Sequence, residues 1–216
     1  MAGLSTTGSI SLGIALVAGR NRVPKPAAGI TACRIGGCLT IVVTPYAAAM
    51  ASKEEARGRF RELRRNSQPK DRKGPSRALL TTPEIDNAKT IASFQSYGDE
   101  PDTFELHEIL KSEGKKILLP RMNPDKSLTW LHEGHEVDSA LLHSVDLVIV
   151  PALAIDARGV RLGQGGGSFD RALALLSGWK VALIDNVCLS AENLPEEDHD
   201  IRVDAVATEL GVTRFH

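Results

Sequence analysis

The sequence predicts a single-domain α/β fold with an open, mostly parallel, Rossmann-like sheet and helices on both faces. Two apolar runs, at residues 145–151 and 180–185, suit strands that are buried on both sides, as the strands of parallel sheets are. Segments with helical periodicity alternate with strand-like runs, which is typical of right-handed βαβ units. The chain has 216 residues, of which 42% are hydrophobic and 25% charged, a composition that suits one globular domain with a remainder.

Residues 1–49 differ in composition from the rest of the chain. Residues 1–53 contain five of the 26 basic residues and none of the 27 acidic ones. We interpret residues 1–49 as an unstructured leader or the result of a mis-assigned start, since Met50 begins an ordinary helical sequence. An organelle transit peptide and a structured N-terminal element stay open as alternatives. The predicted domain therefore spans residues 50–216.

The first half of this domain is expected to alternate helices with strands. Ser52 and Glu55 have the spacing of a capping box and therefore predict the start of the first helix. Pro83 interrupts the second, weaker helical segment. The expected elements are helices over residues 53–65, 77–87 and 101–112, and strands over residues 90–94 and 116–120.

The second half of the domain contains the clearest strand signal. The run at residues 145–151 is rich in β-branched residues, and turn chemistry follows it at residues 156–159. An edge strand is expected around Trp130, whereas residues 133–144 have no readable pattern. The expected elements are strands over residues 127–132, 145–151 and 180–185, and a helix over residues 168–176.

A glycine-rich loop is the strongest indication of chemistry. Four of the five residues 163–167 are glycines, and they stand immediately before the helix that Ser168 begins. Without a Cβ, the backbone N–H groups of such a loop can approach a phosphate, and the helix N-terminus adds partial positive charge. Arg161 and Arg171 can supply forked donors to phosphate oxygens, and Asp170 can hold a magnesium ion. The loop therefore predicts a phosphate cradle.

The same loop also fits other interpretations. A plain surface loop would use Ser168 as an N-cap and Asp170 to complement the helix dipole. A Walker loop is excluded because no Gly-Lys-Ser/Thr follows the glycines. A dinucleotide-binding loop stays open, since Gly163 and Gly165 open a helix and Asp185 ends a strand about 20 residues later. Against it, the third glycine position is Ser168, and the loop lies late in the chain.

Few other residues indicate chemistry. Lys53 and Arg57 lie four residues apart on one helix face and suit a polyphosphate, although by themselves they are better explained as part of a solvated basic face. The three cysteines and six histidines lack metal-ligand spacing, and the sparse cysteines indicate a reducing compartment, hence the cytoplasm. A formal charge of −1 and the lack of a membrane-length apolar run predict neither nucleic acid nor a membrane as a partner.

Four segments carry a family resemblance: Lys53-x-x-x-Arg57, Ser96-Tyr97-Gly98-Asp99-Glu100-x-x-Thr103, residues 117–121 and residues 146–171. Together they resemble the 5-formyltetrahydrofolate cyclo-ligase family, also called methenyltetrahydrofolate synthetases. The glycine segment is the most specific of the four. The chain departs from the family pattern at Ala56, where leucine is usual, and at residues 166–169, where an aromatic residue is replaced.

The resemblance implies an α/β enzyme that uses ATP and magnesium to convert 5-formyltetrahydrofolate into 5,10-methenyltetrahydrofolate, releasing ADP and phosphate. It implies Arg161 and Asp170 as catalytic residues, Asp170 and Asp200 as magnesium ligands, and a monomer acting on a small molecule. A folate- or nucleotide-binding regulator and an NAD-binding oxidoreductase are the alternatives. The implied ATP-site residues are Lys53, Glu54, Glu55, Ala56, Arg57, Arg161, Leu162, Gly163, Gln164, Gly165, Gly166, Gly167, Ser168 and Phe169. The implied folate-site residues are Arg57, Glu100, Gln164, Gly165, Gly166, Gly167 and Ser168.

Overall fold

The computed structural model describes residues 30–35, 38–43, 52–67 and 71–215, the first two ranges by their backbone alone. The helices are α1 Lys53–Asn66, α2 Gly74–Leu80, α3 Pro83–Asn87, α4 Phe104–Ser112, α5 Ser139–His143 and α6 Ser168–Leu173. The strands are β1 Ile30–Ile35, β2 Cys38–Val43, β3 Thr90–Ala92, β4 Lys116–Met122, β5 Leu128–His132, β6 His135–Glu136, β7 Leu147–Pro151, β8 Ala154–Asp156, β9 Arg161–Leu162, β10 Trp179–Leu183, β11 Leu189–Ser190, β12 Ala205–Thr208 and β13 Gly211–Arg214.

An eight-stranded sheet in the order β13-β12-β10-β7-β3-β4-β5-β6 forms the centre of the fold. Its five middle strands, from β12 to β4, are parallel. Antiparallel strands lie at both ends of the sheet, with β13 beside β12 and the pair β5 and β6 beside β4. The predicted open, mostly parallel α/β sheet is therefore confirmed.

Alternating side chains of β7 enter two separate cores. Val148 and Val150 pack in one core with residues of α1 and α6, whereas Leu147 and Ile149 pack in the other with residues of α2, α3 and α4. All four side chains are at most 1% exposed, because a central parallel strand is covered on both faces. The prediction of helices on both faces of the sheet is thereby confirmed as well.

The first helix begins as its capping box predicts. The Oγ atom of Ser52 accepts a hydrogen bond of 3.2 Å from the backbone N–H of Glu55. Ala56, Phe60 and Arg64 follow one another at four-residue spacing and are the buried residues of this helix. This stripe fixes which face of α1 lies on the sheet and which residues remain for other contacts.

The structure corrects the second predicted helix and supplies two elements in a segment that had no assignment. The helix expected over residues 77–87 is two helices, α2 and α3, because Pro83 has no N–H for a continuous helix and instead begins the second one. Residues 133–144, unassigned from the sequence, contain β6 and α5. Within residues 52–67 and 71–215, no helix has the length and apolar character that crossing a membrane requires.

Within residues 71–215, the strands that were not predicted from the sequence are short. β8, β9 and β11 form a separate three-stranded sheet, and β12 and β13 extend the main sheet at one end. Each has only two to four residues, which is too few for a periodic pattern to be recognised.

An antiparallel hairpin lies within the N-terminal region that we assigned to a leader. β1 and β2 pair with each other from Ile30 opposite Val43 to Ile35 opposite Cys38, as a two-stranded sheet of their own. The rest of residues 1–49 lies outside the described residues. The leader, transit-peptide and mis-assigned-start interpretations, and the domain boundary at residue 50, therefore stay predictions.

A buried histidine on α4 predicts an acid sensitivity of the fold. His107 is 3% exposed, its Nε2 lies 2.8 Å from the Oγ of Ser93, and burial lowers its pKa to about 4. An unfolded histidine titrates near 6.5, so the unfolded state takes up a proton first as the pH falls from 7. We therefore expect the free energy of unfolding to decrease by about 2 kcal/mol between pH 7 and pH 5 through this group.

Urea unfolding at the two pH values measures this effect. The variant His107→Gln, which keeps a hydrogen-bonding partner for Ser93, should lose most of the pH dependence. His135→Gln is the matched control, since His135 is exposed on β6. An identical pH dependence in wild type and His107→Gln would contradict the prediction.

Candidate active site

The order of the strands changes direction between β3 and β7. β4 follows β3 on one side of the sheet, whereas β7, β10 and β12 succeed one another on the other side. In open α/β sheets, ligands bind outside the carboxyl ends of the strands at such a switch point. A pocket of about 610 Å³ lies here, lined by Phe94 and Gln95 after β3 and by Pro151, Ala152 and Leu153 at the end of β7.

The predicted glycine loop, residues 163–167, lines this pocket. Gly165 and Gly167 have φ angles of 98° and 66°, a left-handed conformation that favours glycine. Three of the glycines also lie against arginine side chains, so that an added Cβ would make a tight contact with a guanidinium group. The pairs are Gly163 with Arg161 at 3.0 Å, Gly165 with Arg57 at 3.3 Å and Gly167 with Arg171 at 3.4 Å from the Cβ position.

Helix α1 holds the glycine loop in place. The Nε of Arg57 donates to the carbonyl oxygen of Gly163 at 3.1 Å. One turn later, Arg61 donates to the backbone carbonyl of Gln164 at 3.1 Å and to its side-chain oxygen at 3.2 Å. The basic pair predicted at Lys53 and Arg57 therefore faces the pocket, and Arg61, which was not predicted, supports the loop from the same helix.

Arg161 lies largely buried beside the loop. Its Nη1 donates to the carbonyl oxygen of Pro151 at 3.1 Å, and its Nη2 forms an ion pair with Asp170. The Nε of Arg161 and the Oγ of Ser168 are buried and have no hydrogen-bond partner among the described residues. Buried polar atoms are ordinarily hydrogen-bonded, so these two groups, on residues that line the pocket, fit a polar ligand.

Lys53 and Asp200 form an ion pair at the pocket. The Nζ of Lys53 lies 2.7 Å from Oδ2 of Asp200 and 3.3 Å from Oε2 of Glu197. Burial alone would raise the pKa of Asp200, but the Lys53 ammonium and the backbone N–H of Glu197 outweigh it and hold this pKa below its usual range. Asp200 is therefore ionised at neutral pH.

The two predicted magnesium ligands line one pocket, but each is paired with a cation. Asp170 contacts Arg161, and Asp200 contacts Lys53. In the part of the chain that the structure describes, no three His, Cys, Asp or Glu residues are grouped as a metal site. Magnesium commonly takes one or two carboxylates and completes its shell with water and phosphate oxygens. The assignment of these carboxylates to magnesium stays a prediction that depends on a bound polyphosphate.

Glu100 lines the pocket from the segment between β3 and α4. Its Oε2 accepts a hydrogen bond of 3.0 Å from the backbone N–H of Tyr97. Burial raises the pKa of Glu100, and the Tyr97 N–H together with Arg64 and Arg72 opposes this shift without cancelling it. A carboxyl group with a raised pKa in a cleft is a candidate for ligand recognition.

Three residues of the predicted ATP site, Glu54, Glu55 and Ala56, are not among the residues that line the pocket. Ala56 is fully buried in the core, and Glu54 pairs with Arg57 at 3.3 Å on an exposed side of the helix. Helical spacing explains their placement, because Lys53 and Arg57 share a face that the intervening residues do not.

Two further candidates have other partners. Arg171, expected to donate to phosphate, donates to the carbonyl oxygen of Lys126 at 2.7 Å. Asp185, the candidate ribose acceptor of a dinucleotide site, is 6% exposed and lies 4.0 Å from the Nε of the buried Arg64. The placement of Asp185 gives the dinucleotide interpretation no support.

Most of the apolar lining of the pocket, and a few of its polar residues, were not predicted from the sequence. Phe169, which was predicted, follows the glycine loop and also lines the apolar side of the pocket. Its ring contacts the buried Trp130 edge to face, with ring centroids 6.3 Å apart. The position of residues directly after predicted strands was the signal that could have found several of the others. The unpredicted lining residues are Phe94, Gln95, Pro120, Met122, Leu128, Pro151, Ala152, Leu153, Glu197 and His199.

The fold and this pocket define an α/β protein with a crevice, lined by a glycine loop and cationic side chains, at the switch point of its sheet. A sequence model of the 5-formyltetrahydrofolate cyclo-ligase family matches residues 49–209. The chain belongs to this family, which confirms the resemblance found in its sequence.

Individual relatives agree with this assignment. The 5-formyltetrahydrofolate cyclo-ligase of Escherichia coli strain K12 is 32% identical over 151 residues, which cover 60% of this chain and 83% of the relative. The NMR structure of Aquifex aeolicus 5,10-methenyltetrahydrofolate synthetase is 27% identical, has a TM-score of 0.65, and the match covers 76% of this chain and 93% of that one. The Mycoplasma pneumoniae 5,10-methenyltetrahydrofolate synthetase structure, at 17% identity and a TM-score of 0.62 over 72% of this chain and 98% of that one, supports the fold.

Proposed function

We propose that this chain converts 5-formyltetrahydrofolate into 5,10-methenyltetrahydrofolate with ATP and magnesium, releasing ADP and phosphate. The names of the Escherichia coli and Aquifex aeolicus relatives support the folate reaction. The observation that carries the proposal is that one pocket gathers the glycine loop, cationic side chains and the Glu100 carboxyl group. A phosphate chain needs the first two of these features, and a pterin ring needs an acceptor such as the third.

The nucleotide phosphates are assigned to the glycine-loop side of the pocket. The loop backbone is open to a close approach because it lacks Cβ atoms, and the guanidinium groups of Arg57 and Arg161 lie against it. Lys53 adds a third positive charge at the same pocket. Ser168, whose buried hydroxyl has no partner among the described residues, fits a phosphate oxygen as its acceptor.

Asp170 and Asp200 are the residues that would hold magnesium at this pocket. Both are carboxylates, the ligand type that magnesium prefers, and both are at the pocket surface beside the proposed phosphate position. The ion would neutralise charge on the phosphate oxygens during transfer. Arg161 and Lys53 balance the negative charge of the two carboxylates in the absence of the ion.

The cationic and acidic residues of the pocket suit the chemistry of this reaction. The formyl oxygen of the substrate is a poor leaving group, and transfer of the terminal phosphoryl group of ATP converts it into a phosphate ester. N10 then attacks the activated carbon, the five-membered ring closes and phosphate leaves. Arg57 and Arg161 stabilise the negative charge of the transferring group, since phosphoryl transfer depends on positioning and electrostatics. Glu100 accepts hydrogen bonds from N–H donors of the pterin.

All of the proposed contacts lie on one chain and involve small molecules. We therefore propose a monomeric enzyme whose partner is its folate substrate, without nucleic acid or membrane binding. The sparse cysteines of the sequence support a cytoplasmic location.

The purified protein, given 5-formyltetrahydrofolate, ATP and magnesium, is expected to produce the near-ultraviolet absorbance of the methenyl product. ADP should form in equal amount, because one phosphoryl transfer activates one formyl group. Continuous spectrophotometry combined with a coupled ADP assay measures both. Omission of magnesium or of ATP should abolish the signal.

Other outcomes of the same assay point to other functions. Folate binding without product would support a binding regulator that retains the fold. Binding of NAD in place of ATP would support the oxidoreductase interpretation instead.

A further inference from the structure

The segment between β3 and α4 supplies one side of the pocket, and Thr103 holds this segment together. Phe94, Gln95 and Glu100 of the segment line the pocket. Thr103 is fully buried, and its Oγ1 donates to the carbonyl oxygen of Phe94 at 3.0 Å. Oγ1 of Thr103 also accepts a hydrogen bond from the backbone N–H of Ser96 at 3.1 Å. A single hydroxyl group thus binds the backbone at two points next to the pocket.

Ser96 returns this contact, since its Oγ accepts the backbone N–H of Thr103 at 3.3 Å. We call this reciprocal pair the Ser96–Thr103 clamp. It closes the turn formed by residues 97–100, in which the N–H of Glu100 donates to the carbonyl oxygen of Tyr97 at 3.2 Å. The turn carries the Glu100 carboxyl group, so the clamp sets the place from which Glu100 reaches the pocket.

Two other hydrogen bonds hold the C-terminal end of the turn, away from β3. The Nε of Arg72 donates to the carbonyl oxygen of Glu100 at 3.1 Å, and the N–H of Asp102 donates to the carbonyl oxygen of Arg72 at 2.7 Å. These bonds tie the end of the turn to the chain before α2. The clamp through Thr103 is what ties the turn to the residues that follow β3.

We propose that Thr103 is a positioning residue that determines the affinity for the formyl-folate substrate by holding the Glu100 turn at the pocket. This proposal rests on the proposed function. A carboxylate recognises adjacent N–H donors only within a narrow range of positions, and a small displacement weakens the contact strongly. The glycine loop is held by α1, so its contacts to a nucleotide are independent of Thr103.

The test replaces Thr103 with valine, which has the same shape but neither donates nor accepts a hydrogen bond. We expect the KM for 5-formyltetrahydrofolate to rise about tenfold, the effect of losing one buried hydrogen-bonded contact. The KM for ATP and kcat should stay unchanged. Thr103→Ser retains the hydroxyl group and should restore the folate KM.

Thr82→Val is the matched control for a loss of stability. Thr82 is buried and its Oγ1 donates to the carbonyl oxygen of Leu79 at 2.8 Å, but it does not line the pocket. Its replacement also removes a hydroxyl hydrogen bond, so the stability of the fold should fall while both KM values stay at the wild-type level.

The pH dependence of the folate KM gives a second measurement. Glu100, which faces Arg64 and Arg72, accepts pterin donors at both of its oxygens only when it is ionised, and burial raises its pKa above the usual range. Without the Thr103 hydroxyl group, the turn can move and water can reach the Glu100 carboxyl group. The inflection in the pH dependence of the folate KM should therefore move to lower pH in Thr103→Val. A residue that only stabilises the fold would not move this inflection.

A folded Thr103→Val variant with an unchanged folate KM and an unchanged pH inflection would overturn the proposal, as would an equal rise of both KM values. Failure of the proposed function is recognised separately, because then the wild-type chain itself makes no methenyl product. In that case, equilibrium binding of 5-formyltetrahydrofolate to the wild type and to Thr103→Val still tests Thr103: a tenfold weaker affinity supports it, and equal affinities overturn it.

Discussion

Replacing Asp170 with asparagine is expected to lower kcat by about a hundredfold or more, the scale of losing one preorganised electrostatic contact in a transition state. Asp170 lines the pocket, and its side chain is 25% exposed, so a ligand can reach it. Loss of its charge should also weaken the binding of magnesium against the nucleotide phosphates. Steady-state kinetics over a range of magnesium concentrations measure both effects.

The ion pair with Arg161 calls for a second variant, because asparagine also leaves a buried guanidinium group without its carboxylate. Arg161→Lys keeps a positive charge beside an intact Asp170, so its magnesium dependence should match the wild type even if kcat falls. If Asp170 acts only through the helix dipole and its ion pair with Arg161, Asp170→Asn should lower the stability of the fold but leave turnover unchanged. An unchanged magnesium dependence in Asp170→Asn would remove the metal assignment.

Replacing Arg64 with methionine is expected to reduce the free energy of unfolding by about 3–5 kcal/mol, as removal of one partner from a buried charged network does. Arg64 is 4% exposed, and its Nη2 donates to the carbonyl oxygens of Ala152 and Leu153 at 2.6 and 3.3 Å. Its Nε lies 4.0 Å from Asp185. Methionine fills much of the same space but offers no donor, so all three oxygens lose this partner. Urea unfolding measures the change.

Arg65 provides the control within the same helix, since it is the next residue and is exposed. Arg65→Met should change the free energy of unfolding by no more than about 0.5 kcal/mol. Arg64→Lys, which keeps the charge but not the fork of donors, should fall between the two. Equal stabilities of the Arg64→Met and Arg65→Met variants would show that the buried network contributes no net stability.

The predictable parts of the fold were those with a strong local signal. The capping box of Ser52 and Glu55 fixed the start of α1, and the apolar run that became β7 has every residue from Leu147 to Val150 buried. β12 and β13 were not predicted, although β12 is buried along its whole length, because four residues do not show a period. β12 joins the sheet by pairing with β10, and β13 joins it by pairing with β12, so their places depend on contacts outside each short segment.

The candidate site also has parts that could be predicted from the sequence and parts that could not. The glycine loop is recognisable from adjacent residues, whereas the contact between Arg61 and Gln164 joins positions 103 apart in sequence. The basic run of α1 looks like a solvated face, yet Arg64 is buried. One signal could have shown this, since Arg64 continues the four-residue spacing of Ala56 and Phe60. Which charged residue finds a buried partner depends on carbonyl groups that only the folded chain brings together.

The edge-to-face contact between Trp130 and Phe169 gives the pocket an optical reporter. Phe169 belongs to the pocket wall, while the Trp130 indole lies behind it at 2% exposure, and the chain has only one other tryptophan, Trp179. A ligand that shifts the Phe169 ring changes the surroundings of the indole and hence its fluorescence. In a Trp179→Phe variant, the fluorescence of Trp130 therefore reports binding at the pocket. Nucleotide and folate can each be added alone, so that binding is measured without turnover.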